Sequence, residues 1–218
     1  MTTTTPARFG LWLTVLLGGT LAAASAAAQE GAAAAAVGSV DAGRTKSVTC
    51  AACHGVDGNS VTPDWPMLAG QHASYIVRQL QAFKNGERTD VTMKPFADLL
   101  SDQDMLDVAA YFAAQTPTPK GADPTLVGLG QQIYRGGVPA RGVAACIACH
   151  GPDGDGNPLA AYPRVSGQHA AYVTKQLNAY ASGDRRTDVE LNQMMRNVAG
   201  QLFEDEIRAL ASYVQGLN

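Results

Sequence analysis

All four cysteines of this 218-residue chain lie in two copies of one short motif. The copies are CAACH at residues 50–54 and CIACH at residues 146–150. Two thiols three positions apart, followed directly by a histidine, are typical of a c-type haem attachment site. The thiols add to the two vinyl groups of one porphyrin, and the adjacent imidazole reaches the iron. We therefore predict two covalently bound haem c groups. The predicted attachment cysteines and iron-ligating histidines are Cys50, Cys53, His54, Cys146, Cys149 and His150.

Three other uses of the cysteines compete with haem attachment. All four can bind a structural zinc ion, they can form two disulfides in an oxidising compartment, or each pair can carry thioredoxin-like redox chemistry. None of these uses explains the histidine after both pairs, and the chain lacks the βαβ pattern of a thioredoxin. Haem attachment is the interpretation that uses every residue of both motifs.

The sixth ligand of each iron separates an electron carrier from an enzyme, because an open position on the iron can bind peroxide or oxygen. Met93 lies in a predicted loop eight residues before Ser101, and Met195 lies eight residues before Phe203, the corresponding position of the second copy. We predict these two thioethers as axial ligands, since His/Met ligation fills both axial positions and raises the reduction potential. Met194 remains an alternative to Met195.

Four other possible ligands fit the repeat less well. Met105 falls among the apolar residues of a predicted helix, and Met67 has Arg164 at the corresponding position of the second copy. His72 and His169 do recur, at the start of a predicted helix. We expect them to be polar residues at the surface rather than ligands.

A metal-ligating histidine usually donates its second ring N–H to a fixed acceptor. Pro66 and Pro163 occupy corresponding positions in the loop that follows each motif. We expect backbone carbonyls at these positions to accept that hydrogen bond. The alternative is that both prolines only shape a turn.

The chain contains a tandem repeat of one sequence unit. Ten of the nineteen positions of segments 70–88 and 167–185 are identical, and both segments begin with Gly-Gln-His-Ala. A repeat of nearly 100 residues is too long for a solenoid and fits two small domains. We predict an N-terminal domain over 41–115, a proline-stiffened linker over 116–124 and a C-terminal domain over 125–218.

The periodicity predicts an all-α fold. Apolar residues recur at helical spacing over 73–83 and 170–180, Ser101 is placed to cap the last helix of its domain, and no segment alternates like a strand. Short helices precede each cysteine pair. Gly43 is placed to let the first and last helices cross closely against Tyr111, with an ordinary flexible glycine as the alternative. Small domains of short helices can hardly bury a core unaided. A bulky apolar group such as haem would complete it.

The N-terminus has the pattern of a secretory signal peptide. Arg8 precedes an apolar run over 9–24, and small residues follow up to Ala28. We predict a signal peptide over 1–28, a flexible leader over 29–40 and a periplasmic location, with an uncleaved anchor as the alternative. The formal net charge of −3 leaves no basic surface for nucleic acid.

Further stretches carry a resemblance to a known family. They are LSDQD (100–104), AAYF (109–112), GQHAAY (167–172) and MMR (194–196). With the two CxxCH motifs, they resemble the dihaem cytochrome c4 family over essentially the whole chain after residue 40. The resemblance implies two class I cytochrome c folds related by a pseudo-twofold axis, with haem edges close enough to exchange electrons. It implies the axial pairs His54 with Met93 and His150 with Met195.

The resemblance also implies a function. It implies a periplasmic carrier, soluble or loosely associated with the membrane, that passes single electrons from a quinol-oxidising cytochrome bc complex towards a terminal oxidase. We accordingly expect an electron carrier rather than an enzyme, and a monomer whose partners are redox proteins. Two alternatives stay open. One is the cytochrome subunit of an exported dehydrogenase, for example a sulfide-oxidising flavocytochrome, and the other is a dihaem peroxidase with one open iron.

Overall fold

The structure is a computed structural model that describes residues 1–2 and 37–217. The predicted signal peptide and most of the predicted leader lie outside the described residues, apart from the first two positions. Over 37–217 the chain folds into helices joined by long loops, with isolated backbone bridges and no strand. None of the helices in this part of the chain is both long enough and apolar enough to cross a bilayer.

Both halves of the chain contain the same five helices in the same order. In the first half they are α1 (Val40–Lys46), α2 (Ala51–His54), α3 (Ala73–Asn85), α4 (Met93–Asp98) and α5 (Asp102–Ala113). In the second half they are α6 (Val127–Gly136), α7 (Ile147–His150), α8 (Ala170–Ser182), α9 (Met194–Ala199) and α10 (Glu204–Gln215). Short 3-10 turns lie at Ser47–Thr49, Pro139–Arg141, Pro158–Ala160 and Val189–Leu191.

The ends of the helices follow local signals. α3 and α8 run two residues further than the apolar pattern predicts and end at Gly86 and Gly183, whose φ angles of 84° and 80° suit glycine. α5 begins with the predicted N-cap, because the Ser101 hydroxyl accepts the backbone N–H of Asp104. α10 has no such side-chain acceptor at Phe203, but the Glu206 carboxylate accepts the Phe203 N–H at 2.8 Å.

The first and last helices of each half cross at a glycine. A Cβ atom on Gly43 would lie 2.0 Å from the carbonyl oxygen of Asp107 and 2.8 Å from Cβ of Tyr111. This close approach confirms the role predicted for Gly43. The second half repeats it with Gly130, where a Cβ would lie 2.3 Å from the carbonyl oxygen of Ala209.

Two separate apolar cores flank the helix crossings. The first is built from α3 and α5 and contains Ile76, Leu80, Met105, Val108 and Phe112. The second contains Ile133, Tyr134, Leu210, Tyr213 and Val214. Met105 is fully buried, as predicted for a core residue. Both cores border one cavity that residues from the two halves line together.

The crossing glycines should tolerate no side chain. We expect Gly130→Ala to lower the free energy of unfolding by about 1–3 kcal/mol, since the added methyl group meets backbone atoms that cannot move aside. Gly128→Ala in the same helix is the matched control. No atom lies within 4 Å of its added Cβ, so the better helix propensity of alanine should stabilise by up to ~1 kcal/mol. Urea unfolding of both variants checks this, and equal effects would contradict the close crossing.

Candidate haem-binding sites

Each CxxCH motif forms a single helical turn. The backbone N–H of His54 donates to the carbonyl of Cys50 at 2.9 Å, and His150 repeats the bond to Cys146 at the same distance. All four cysteines are free thiols and partly exposed. The turn therefore brings the two thiols and the imidazole of each motif close together, as attachment to one porphyrin requires.

The competing uses of the cysteines find no support in this geometry. The described residues contain no disulfide, and no group of three or more His, Cys, Asp or Glu side chains among them is arranged to hold a metal ion. Burial raises the pKa of the Cys146 thiol to about 11 and also raises that of Cys50.

Both motif histidines are buried and held by a proline carbonyl. Nδ1 of His54 lies 2.9 Å from the carbonyl oxygen of Pro66, and Nδ1 of His150 lies 2.9 Å from that of Pro163. Burial lowers the pKa of both imidazoles, which favours the neutral ring. A carbonyl accepts but never donates, so Nδ1 carries the proton and Nε2 keeps a free lone pair for a metal. The carbonyl role expected at the two prolines is confirmed.

The three candidate methionines line the cavity between the halves. Met93, Met194 and Met195 all face it, as do both motif histidines. The expectation that Met93 and Met195 lie in loops is wrong, because Met93 is the first residue of α4 and Met195 the second residue of α9. The Sδ atom of Met194 lies 3.9 Å from the Tyr162 hydroxyl.

A carboxylate fixes the start of each methionine helix. Oδ1 of Asp90 accepts the backbone N–H of Met93 at 3.0 Å. In the second half the carboxylate of Asp188, 1% exposed, accepts both the backbone N–H and Nε of Arg196, at 2.9 and 2.8 Å. In each of these hydrogen bonds, donor and acceptor residue are no more than eight positions apart in the sequence. They set the direction in which each methionine side chain leaves the backbone.

The remaining histidines lie outside the cavity lining. His169 is not a surface residue as expected: it is 6% exposed, and its Nε2 lies 2.8 Å from the carbonyl oxygen of Ser60 in the first half. The contact between the two halves, which no local pattern reveals, buries it. His72 is only partly buried, and Met67 is buried at the cavity wall.

Known proteins share this sequence and arrangement. The profile of the cytochrome c family matches residues 40–115 and 129–218. Cytochrome c4 of Azotobacter vinelandii is 47% identical over 192 residues, which cover 84% of this chain and 91% of that protein. A crystal structure of reduced recombinant cytochrome c4 from Pseudomonas stutzeri superposes with a TM-score of 0.81 at 44% identity, covering 84% of this chain and all of that one. A thiosulfate dehydrogenase electron acceptor of Stutzerimonas stutzeri is 37% identical over 172 residues, covering 77% of this chain and 78% of that protein.

The chain belongs to the cytochrome c4 family. It is an all-α protein of two tandem cytochrome c domains that binds two haem c groups. Like its cytochrome c4 relatives it is an electron-transfer protein and not an enzyme. The resemblance inferred from the sequence motifs is thereby confirmed.

Two buried arginines, which the sequence analysis did not single out, lie between the two halves of this cytochrome. Arg88 and Arg185 are 8% and 4% exposed and are joined by an antiparallel backbone bridge. Neither forms an ion pair with a carboxylate among the described residues. Their side chains donate to neutral acceptors of both halves, which are Tyr75, Gln79, Tyr172, Gln176 and Thr187.

These arginines provide a test of whether the cavity suits haem. A buried cation without a counter-ion is costly, and both arginines are among the residues that line the cavity. Each haem group carries two carboxylates, so the cavity offers cationic partners as well as thiols and free imidazole nitrogens. The residues present fit haem c. A signal was available in the sequence, because the tyrosine, glutamine and arginine of this cluster are identical in both copies.

The carboxylate that fixes the second methionine helix should be important for stability. We expect Asp188→Ala to cost about 2–4 kcal/mol, since it leaves the partly buried Arg196 guanidinium and the Arg196 backbone N–H without their acceptor. Asp98→Ala removes the partner of Lys94 in α4, where both side chains are about half exposed, and should cost under ~1 kcal/mol. Thermal unfolding followed by far-UV circular dichroism compares the two variants. A cost for Asp188→Ala no larger than for Asp98→Ala would contradict the role of Asp188.

Proposed function

We propose that this protein is a periplasmic carrier that takes single electrons from a quinol-oxidising cytochrome bc complex and delivers them towards a terminal oxidase. The observation that carries its electron-transfer chemistry is the cavity that both halves share, because it is lined by both histidines and by the methionines of both halves. Two redox groups held by these residues would share one mainly apolar cavity. The export pattern at residues 1–28 supports the periplasmic location.

We propose His54 with Met93 and His150 with Met195 as the axial pairs, and Cys50, Cys53, Cys146 and Cys149 as the attachment residues. Bound haem c supplies a one-electron couple between Fe(III) and Fe(II). The protein's part is to hold both axial positions, to keep water away and to set the potential. The proline carbonyls hold the two imidazoles, and the two aspartates hold the two methionine helices.

The proposed domains are 41–115 and 125–218, with 116–124 as the linker between them. Supporting this division, each range contains a complete set of five helices, apart from the first residue of α1. The linker is held to both halves. The Thr116 carbonyl and the Thr118 N–H bond to Asn59, and the Gly121 carbonyl accepts from Gln215.

A second candidate function is supported by one relative. The Stutzerimonas stutzeri protein is named for accepting electrons from thiosulfate dehydrogenase and matches 77% of this chain. The same pair of haem sites suits an acceptor for an exported dehydrogenase, which is the alternative reached from the sequence. The two functions differ in the electron donor and not in the chemistry of the haem sites.

The axial ligands can be tested by absorption spectroscopy. In the oxidised wild-type protein we expect two low-spin haems per chain and the weak long-wavelength band of methionine bound to Fe(III). Met195→Ala and Met93→Ala should each remove about half of that band, because each takes the thioether from one of two irons that have the same pair of ligands. Met194→Ala is the matched control and should keep the full band. Loss of the band in Met194→Ala would transfer the ligand role to Met194, and a high-spin haem in the wild type would overturn the carrier proposal.

The electron donor can be tested with two separate sources of electrons. Oxidised protein is mixed with membranes of the source organism and a quinol, with and without an inhibitor of the cytochrome bc complex. We expect rapid reduction that the inhibitor abolishes. In the second arm the quinol and membranes are replaced by thiosulfate and a purified thiosulfate dehydrogenase. Fast reduction only in the second arm would favour the dehydrogenase acceptor over the respiratory carrier.

A further inference from the structure

Two glutamines occupy the same fixed turn in both halves. Gln71 and Gln168 follow Gly70 and Gly167, whose φ angles of 68° and 69° are the left-handed values that glycine favours. The N–H groups of the two glycines donate to carbonyls near the ends of α5 and α10, at 3.0 and 3.1 Å. Each glutamine therefore leaves a turn that is anchored to the last helix of its own half.

The two glutamine side chains bind the backbone of the opposite half. Oε1 of Gln168 accepts the N–H of Met67 at 2.9 Å, and Nε2 of Gln168 donates to the Met67 carbonyl at 3.1 Å. Gln71 makes the reciprocal pair of bonds with Arg164. Its Oε1 accepts the Arg164 N–H at 3.1 Å, and its Nε2 donates to the Arg164 carbonyl at 2.8 Å. Gln71 is 6% exposed and both glutamines line the cavity.

One peptide group connects each glutamine with the haem-ligating histidine of the opposite half. The N–H of Met67 belongs to the same planar amide as the carbonyl of Pro66, which binds Nδ1 of His54 at 2.9 Å. In the second half, the amide between Pro163 and Arg164 joins His150 to Gln71 in the same way. Because hydrogen bonds in a chain polarise one another, by about 10–30% per bond, the glutamine strengthens the carbonyl as an acceptor.

We propose that Gln71 and Gln168 are crossed positioning residues, each of which tunes the haem iron bound in the other half. The inference rests on the proposed ligation by His54 and His150. A stronger acceptor at Nδ1 makes the imidazole a better electron donor, which stabilises Fe(III) and lowers the reduction potential. The glutamine of one half thus lowers the potential of the other half's haem.

The test is a pair of uncharged substitutions in the full haem-loaded protein. In Gln168→Met we expect the equilibrium constant for reduction of the haem in the first half to rise about threefold, or ~30 mV at 59 mV per tenfold. The potential of the second haem should stay near its wild-type value. Gln71→Met should give the mirror-image result. Potentials are measured by spectroelectrochemical titration, with each haem assigned from its paramagnetically shifted NMR signals.

Gln215→Met is the matched control. Gln215 also makes two backbone bonds, from the Ala170 N–H at 2.9 Å and to the Gly121 carbonyl at 2.8 Å, but it touches no peptide that binds a motif histidine. We expect both potentials to stay at their wild-type values. A shift in the haem of the substituted residue's own half, equal shifts in both haems, or no shift would each overturn the proposal.

A second readout separates tuning from simple loosening of the fold. The Nδ1 proton of His54 should exchange with deuterium faster in Gln168→Met, and Gln168→Glu, which keeps an acceptor for the Met67 N–H, should restore slow exchange. If Gln168→Met does not bind a full set of two haems, the test uses Gln168→Glu instead. In that variant the reduction potential of the haem in the first half should fall more than that of the haem in the second half. Equal decreases in the two potentials would overturn the proposal. A wild type without two low-spin His/Met haems would refute the proposed ligation itself. If the electron donor proved to be a protein other than the cytochrome bc complex, each glutamine would still tune the haem of the opposite half.

Discussion

The hydrogen bond from a buried imidazole to a proline carbonyl is the constraint on which both candidate haem-binding sites depend. A CxxCH turn places thiols and imidazole close together, but a histidine side chain can rotate and can carry its proton on either ring nitrogen. The carbonyls of Pro66 and Pro163 fix both properties at once. The loop carrying each proline must therefore be held as firmly as the motif itself.

That requirement explains why the two halves pack against each other with polar contacts. The loop that carries Pro66 is fixed from outside by Gln168, and the loop that carries Pro163 by Gln71. Deeper in the same contact, Arg88 and Arg185 each donate to side chains of the opposite half. Every one of these bonds has a counterpart related by exchange of the halves. A pseudo-twofold arrangement lets one set of residues, repeated in the sequence, satisfy both sides of the contact.

The sequence predicted the parts of this structure that depend on local chemistry. The CxxCH motifs, the cap at Ser101 and the amphipathic pattern of α3 and α8 are all encoded within one or two helical turns, and all appear in the structure. The start of α4 at Met93 was missed although its signal is just as local, because the carboxylate that accepts the Met93 N–H belongs to Asp90, only three residues earlier. The burial of His169 was missed because it depends on Ser60, which lies in the other half. In a single sequence, the only signal of contacts between the halves is that the two copies have identical polar residues at corresponding positions, such as Gln71 and Gln168.

Where the two halves depart from symmetry, the haem environments must differ. The proposed axial pairs are chemically the same, so a difference between the two reduction potentials has to come from the surroundings. Met67 in the first half corresponds to Arg164 in the second, and Arg164 forms an ion pair with Asp155 at 2.6 Å. The Asp188 carboxylate binds the Arg196 guanidinium, whereas Asp90 binds backbone N–H groups alone. The second site is thus surrounded by more paired charge than the first. The Asp188 carboxylate is almost fully buried, so its attraction to Arg196 is stronger than that of the more exposed pair of Arg164 and Asp155. We therefore expect these departures from the repeat, rather than the shared ligands, to set the order of the two potentials.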